Sequence, residues 1–134
     1  MQESTELRDL MIRYYEASTN TDVEFLDQLI ARVPEALIIG TDDEEWWPDG
    51  ASAAEIWTSA WRRRGSSPIV NYDPKAYVSG DIGWVVDHPT WQRPGRPGRA
   101  FRLTAIFQRI EGEWKMVHAH FSLGVPNAAV ASQS

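Results

Sequence analysis

Cysteine is absent, so neither a disulfide framework nor thiolate chemistry is open to this chain of 134 residues. Basic side chains are outnumbered, 13 against 19 acidic ones. The formal net charge of −6 withholds the concentrated positive surface that duplex nucleic acid requires. No apolar run approaches the length of a membrane span, and the acidic start Met1-Gln2-Glu3-Ser4-Thr5-Glu6 has neither a positive n-region nor an apolar h-region. The expectation is a cytoplasmic protein with no membrane and no nucleic acid among its partners. No linker divides the chain, so residues 1–134 read as a single domain with a frayed Ala/Ser tail at 127–134. Tryptophan is what the sequence has in excess, with seven residues. Each joins a large apolar area to one N–H, a combination suited to pockets and interfaces.

Helical spacing comes first. Leu7, Leu10, Met11, Tyr14, Tyr15 and Ser18 repeat at i, i+3, i+4 and i+7, which predicts a buried stripe on a helix from about Ser4 to about Ser18. Thr21-x-x-Glu24 reads as a capping box opening a second helix that Pro34 stops. Ala36 to Gly40 reads as a strand, and the acidic segment Thr41 to Gly50 as a loop carrying two indoles. Ser52-x-x-Glu55 caps a third helix with Ala53, Ile56, Trp57, Ala60 and Trp61 on one stripe, ending in Arg62-Arg63-Arg64-Gly65.

From Ile69 the period changes to two. Val70 to Val78 is a strand interrupted by Pro74, Gly83 to Trp91 a second, and Phe101 to Ile110 a third. Arg93 to Arg99 has no apolar residue and reads as a loop. Glu111-Gly112 is a tight turn into the final strand, Trp114 to Ser122. Helices followed by an antiparallel meander predict an α+β fold, with a curved sheet around three N-terminal helices.

A two-residue turn at Glu111-Gly112 pairs Arg109 with Trp114, Phe107 with Met116, Ala105 with His118 and Leu103 with His120. One face then collects Phe101, Leu103, Ala105, Phe107, Trp114, Met116, His118 and His120. As the more apolar face it is expected to meet the helices. The other face carries Ile106, Val117, Ala119 and Phe121, an apolar patch expected to form a homodimer packed sheet to sheet. A one-residue bulge would exchange the two faces.

Several stretches together resemble a known family. They are Ile39-Gly40-Thr41-Asp42 with Glu45-Trp46-Trp47 and Gly50, Gly83-Trp84-Val85, Arg102 to Phe107, and Gly112-Glu113-Trp114-Lys115 with His120-x-Ser122. They resemble the SnoaL-like branch of the nuclear transport factor 2-like superfamily, from the first helix to Pro126. The resemblance implies a cystatin-like α+β cone with an internal pocket, and dimers are common among its members. It leaves activity open, because the same cone serves isomerases, dehydratases, cyclases and non-catalytic association domains.

Two histidines on an inner strand face point to acid–base chemistry, since imidazole titrates near neutral pH. The alternative is a pair of hydrogen-bonded, partly buried rings. A base needs an orienting partner, and either Asp87 or His88 must point inward; Asp87 inside would hold one tautomer of His118 or His120. His118-x-His120 has same-face spacing but no evident third ligand, so no metal and no cofactor are expected. Tyr14, Tyr15, Trp47, Trp57, Trp61 and Trp114 are the candidate ligand-binding side chains, with core packing the rival role for Trp57 and Trp61. Arg62–Arg64 and Arg93, Arg96 and Arg99 read as solvated, with an acidic ligand at the cone mouth as the alternative. Two functions fit. One is a small-molecule protein with a pocket for a flat apolar or aromatic ligand. Any turnover there would be cofactor-independent isomerisation, dehydration or cyclisation using His118, His120 and Asp87. The other is a non-catalytic dimerising or association module.

Overall fold

The computed structural model describes residues 1–132. Helix α1, Thr5–Asn20, opens where the Ser4 hydroxyl accepts the Leu7 N–H at 3.1 Å, and it buries Leu7, Met11, Tyr14, Tyr15 and Ser18 as the spacing predicts. Thr21 has a different place from the one expected. With φ at 54° it terminates α1, and Asp22 caps α2, Val23–Leu29, by accepting the Phe25 N–H at 3.1 Å. The third helix, α3, Gly50–Arg64, starts earlier than a Ser52 cap would allow. Asp49 enters it at φ 68°, and a Cβ on Gly50 would lie 1.8 Å from the Ala31 carbonyl oxygen. Its buried face runs through Gly50, Ala53, Ala54, Trp57, Thr58 and Trp61, which leaves Ile56 exposed instead of on the stripe.

The main sheet has seven strands. They are β1, Gln2–Glu3; β2, Leu37–Ile39; β3, Trp46–Pro48; β5, Lys75–Ser79; β6, Ile82–Asp87; β9, Arg102–Ile110; and β10, Glu113–Ser122. Their order is β1-β5-β6-β9-β10-β2-β3, and only the β2–β10 pair is parallel. The sheet is curved and unclosed around the helices, an α+β cone. A separate sheet of three strands joins β4, Ile69–Val70, β7, Thr90–Arg93, and β8, Arg96–Ala100.

Four strand expectations change. The strand expected over 83–91 ends at Asp87, and after His88-Pro89 the chain enters the small sheet as Thr90–Arg93. Trp46–Pro48 lies within the expected loop, yet pairs with β2. The stretch 70–78 breaks at Asn71 (φ 56°) and buried Pro74, so its first part joins the small sheet. Arg93 to Arg99 is no loop but the tip of the β7–β8 hairpin, turning at Pro94-Gly95 with Gly95 at φ 67°. A backbone ladder needs no apolar side chains, which is why composition misreads it. At the C-terminal end Asn127–Ala131 forms α4, with no buried residue; 133–134 of the tail lie outside the described residues.

The β9–β10 hairpin turns on Glu111 and Gly112, both at positive φ, as the type I′ geometry of a two-residue loop requires. Its first pairs are as predicted: Ile110 with Glu113, Arg109 with Trp114, Phe107 with Met116. Then the register shifts by one between Met116 and His118. His118 pairs with Ile106, Ala119 with Ala105, His120 with Thr104 and Phe121 with Leu103. Val117 is the extra residue, and the faces exchange beyond it. Ala119 and Phe121 turn into the core beside Leu103 and Ala105, whereas His118 and His120 turn to the outer face. Half of the expected dimer patch is therefore core. Ile106 and Val117 remain half-buried, with Ile106 in the outer row.

The bulge makes opposite demands on adjacent residues. Ala119→Asp buries an unpaired carboxylate and should lower unfolding free energy by about 3 kcal/mol or more, whereas His120→Asp should change it by no more than about 0.5 kcal/mol. Urea denaturation of the two variants checks this, and the unbulged register requires the reverse ranking.

Candidate functional site

At one end of the cone, α1, α3, the main sheet and the β7–β8 hairpin line a half-open cavity of about 320 Å³. Tyr14 reaches it from α1, Trp57 and Arg64 from the two ends of the Trp-x-x-x-Trp-x-x-Arg face of α3, and Trp47 from β3. Ile38 and Phe121 form the floor from β2 and β10. The β7–β8 hairpin adds Trp91 and Arg93, and the turn before β3 adds Thr41 and Glu45. Other depressions are larger: about 430 Å³ beside Glu6, Arg13 and Trp114, with Asp9, Glu113 and Lys115 also on its wall; about 330 Å³ at the tip of the β7–β8 hairpin; and about 540 Å³ beside Asp87, a broad surface hollow.

The wall is aromatic and mutually packed. Tyr14 lies 5.9 Å from Trp57 and 6.4 Å from Phe121, ring centre to ring centre, and Trp57 lies 5.7 Å from Phe121 and 6.4 Å from Trp47. Tilted and edge-on contacts at these separations hold large rings in fixed orientations. Trp91 stacks on Phe101 at 3.8 Å, which anchors the hairpin to the core.

Polar groups converge on these rings. The Tyr14 hydroxyl sits on a side chain only 4% exposed and has no hydrogen-bond partner among the described residues. Burial raises its pKa, against a smaller lowering by the Arg64 charge, so it stays a protonated donor. Arg64 is an exposed residue whose guanidinium lies over the Trp61 ring at 5.3 Å, with Nη2 donating to Ser18 Oγ at 3.1 Å. Partial desolvation lowers its pKa, and guanidinium remains a cation at neutral pH. Glu45 Oε1 accepts the Asp42 N–H at 3.0 Å.

Of the candidate residues, Tyr14, Trp47 and Trp57 come together at this cavity. Trp61 packs behind it, 5.7 Å from Tyr14, with its Nε1 buried and unpartnered. Trp114 sits in the 430 Å³ groove, donating Nε1 to Glu6 beneath the Arg109 guanidinium. His118 is on the outer face with Nδ1 2.7 Å from the Leu37 carbonyl, a contact that assigns the proton to Nδ1; His120 is exposed.

Asp87, not His88, takes the inner side. Its carboxylate accepts the Tyr15 hydroxyl at 2.6 Å and the Asp73 and His88 backbone N–H groups at 3.1 and 2.8 Å. Tyr15 is thereby tied to β6, and burial followed by the Asp87 hydrogen bond raises its pKa. Asp87 and the two histidines lie on opposite faces of the sheet, so the expected imidazole–carboxylate pair does not form.

Phe121, Trp91 and Glu45 are lining residues that sequence reasoning placed elsewhere, while Arg64 and Arg93 were read as solvated with an acidic ligand at the cone mouth as the alternative. One signal was available for Arg64: positions 57, 61 and 64 share a helical face. Among the described residues no three of His, Asp and Glu converge as a metal-ligand set.

The SnoaL-like domain family matches residues 7–126. No curated protein matches the chain. Among solved structures, an NTF2-like protein of unknown function from Pseudomonas putida KT2440 shares 16% identity, with 91% of this chain and 87% of that one covered and a TM-score of 0.74. A proposed dehydratase of the NTF2-like family from Streptomyces avermitilis shares 19%, covering 87% and 92%, TM-score 0.74. A proposed calcium/calmodulin-dependent protein kinase type II association domain from Thiobacillus denitrificans ATCC 25259 shares 16%, covering 87% and 93%, TM-score 0.73. At these identities the likeness is one of fold.

The two buried tyrosines generate a pH prediction. Folded Tyr14 and Tyr15 hold protons that the unfolded chain releases near pH 10, so the stability tied to them is intact below about pH 10 and lost as pH rises past it. In an alkaline titration their tyrosinate absorbance should appear together with the loss of near-ultraviolet circular dichroism. The Tyr14→Phe/Tyr15→Phe double variant should lack that cooperative component.

Proposed function

The chain belongs to the SnoaL-like domain family, and on that premise we propose that it binds a flat apolar or aromatic small molecule in the cavity between Tyr14, Trp57 and Phe121. The supporting observation is the wall itself. Large rings line about 320 Å³, the lower end of the range for small-ligand sites, and the hydroxyl of Tyr14, a lining residue, has no protein partner among the described residues. The space opens to solvent, which gives an occupant a way in.

Turnover, in this reading, falls to groups other than the histidines. Glu45 is the carboxylate on the wall and Tyr14 the donor, and an isomerase, dehydratase or cyclase built here would use those two for proton transfer. The similarity to a proposed dehydratase favours that version, and the similarity to a proposed association domain favours assembly without chemistry. No helix among the described residues is long and apolar enough to cross a membrane.

Assembly is a second proposal, carried by the outer face of the sheet. Tyr77, Trp84, Ile106 and His118 form one cross-strand row there, with the Tyr77 and Trp84 rings 4.9 Å apart and Ile82 nearby exposed. A second copy of the chain packed on this row would bury it.

Titration with the neutral aromatic naphthol should quench tryptophan fluorescence at a single site, and Trp57→Ala should weaken that binding at least about tenfold. His118→Ala and His120→Ala should leave it unchanged. Unaltered binding in Trp57→Ala would reject the cavity as the ligand site. For assembly, sedimentation of the unaltered protein should give a dimer and Ile106→Arg a monomer; a monomer in both would end that reading.

A further inference from the structure

We infer that the ligand is an anion, a flat ring system bearing a carboxylate that Arg64 and Tyr14 receive together. The inference rests on the cavity being the ligand site and adds the charge of what enters it. Only Arg8, Arg32 and Arg109 of the arginines lie beside an aspartate or glutamate among the described residues, so Arg64 and Arg93 belong to a larger set without an ion-pair partner. Those two are the arginines that line the cavity. Arg93 spends Nε and Nη2 on the Pro97 carbonyl, and Arg64 spends Nη2 on Ser18 and Nε on the Gly65 carbonyl, which leaves Nη1 of Arg64 without a protein acceptor.

Two cations therefore face one carboxylate in a chain whose net charge is −6. Glu45, the lone acid on the wall, already accepts the Asp42 N–H. The unpartnered Tyr14 hydroxyl supplies a neutral donor on the same wall. A guanidinium with a free N–H, on one wall with an unpartnered hydroxyl donor and bounded by indoles, has donors to spare and few acceptors. It matches a planar anion, and the partly desolvated setting strengthens each such bond. The aromatic wall asks for a ring behind that anion, and the volume suits one or two fused rings.

Calorimetric titration with naphthoate and with naphthamide, its neutral counterpart, tests this in the unaltered protein. Naphthoate should bind at least about tenfold more tightly, as expected of a charge-assisted over a neutral hydrogen bond. In Arg64→Met the preference should fall to within about twofold while naphthamide binding persists, and Arg62→Met, on the same last helical turn, should keep it. Arg64→Lys, which retains a cation without the fork, should keep only part of the preference and serves if the methionine variant fails to fold. Equal affinity for the two probes in the unaltered protein would overturn the inference, as would a full preference surviving in either Arg64 variant. Binding of neither probe would instead reject the cavity reading beneath it. Competition by inorganic phosphate as effective as by naphthoate would also overturn it, in favour of a ring-independent anion site.

Discussion

Between Met116 and His118 the last strand of the hairpin uses two residues where its neighbour uses one, and the identity of the cone's contents beyond that point follows. A strand cannot otherwise change which side chains face inward, because its period is two. Continued without the bulge, β10 would bring His118 and His120 to the core and send Ala119 and Phe121 to solvent. Two imidazoles would then need buried partners, and two apolar groups would lose theirs. The neighbours of β10 change at the same point. Ala31 donates its N–H to the Met116 carbonyl at 2.9 Å, and from His118 onward β2 takes over the pairing.

The cavity inherits its floor from that shift. Phe121 arrives inward only because Val117 is extra, and once there it touches Tyr14 and Trp57. Tyr14 in turn packs on Trp61, and Trp61 lies under the Arg64 guanidinium. One strand irregularity thus connects through three rings to the cation on the cavity wall. At the opposite end of the β9–β10 hairpin, Trp114 and Lys115 are held to α1 and α2 through Glu6 and the Gln28 carbonyl, so the hairpin is pinned at both ends.

Local periodicity carried a good deal of this. The α1 stripe is visible from Leu7 to Ser18 because a helix exposes its pattern over four turns. The Glu111-Gly112 turn is visible because few residue pairs accept two positive φ angles. Tyr14, Trp47 and Trp57 could be nominated because large rings at such positions must pack on something. The bulge was not legible, since nothing in Met116-Val117-His118 distinguishes an extra residue from a paired one; β9 and β2 decide it across the sheet. The β7–β8 ribbon was hidden for a different reason, as its stability comes from backbone pairing while its side chains are those of a loop. Arg64 was read as solvated because three consecutive arginines at a helix end look alike, and only their angular position separates the one that lies over Trp61.

The cavity is bounded by two sheets that share no ladder: the seven-stranded sheet supplies Ile38, Trp47 and Phe121, and the three-stranded one supplies Trp91 and Arg93. Fold and selectivity are therefore written on different pieces of backbone. Variation in the length or composition of the β7–β8 ribbon can alter what the chamber admits without disturbing a hydrogen bond of the main sheet, provided the Trp91–Phe101 stack keeps the ribbon in place. A lineage built on this plan has a wall it can rewrite and a frame it need not touch.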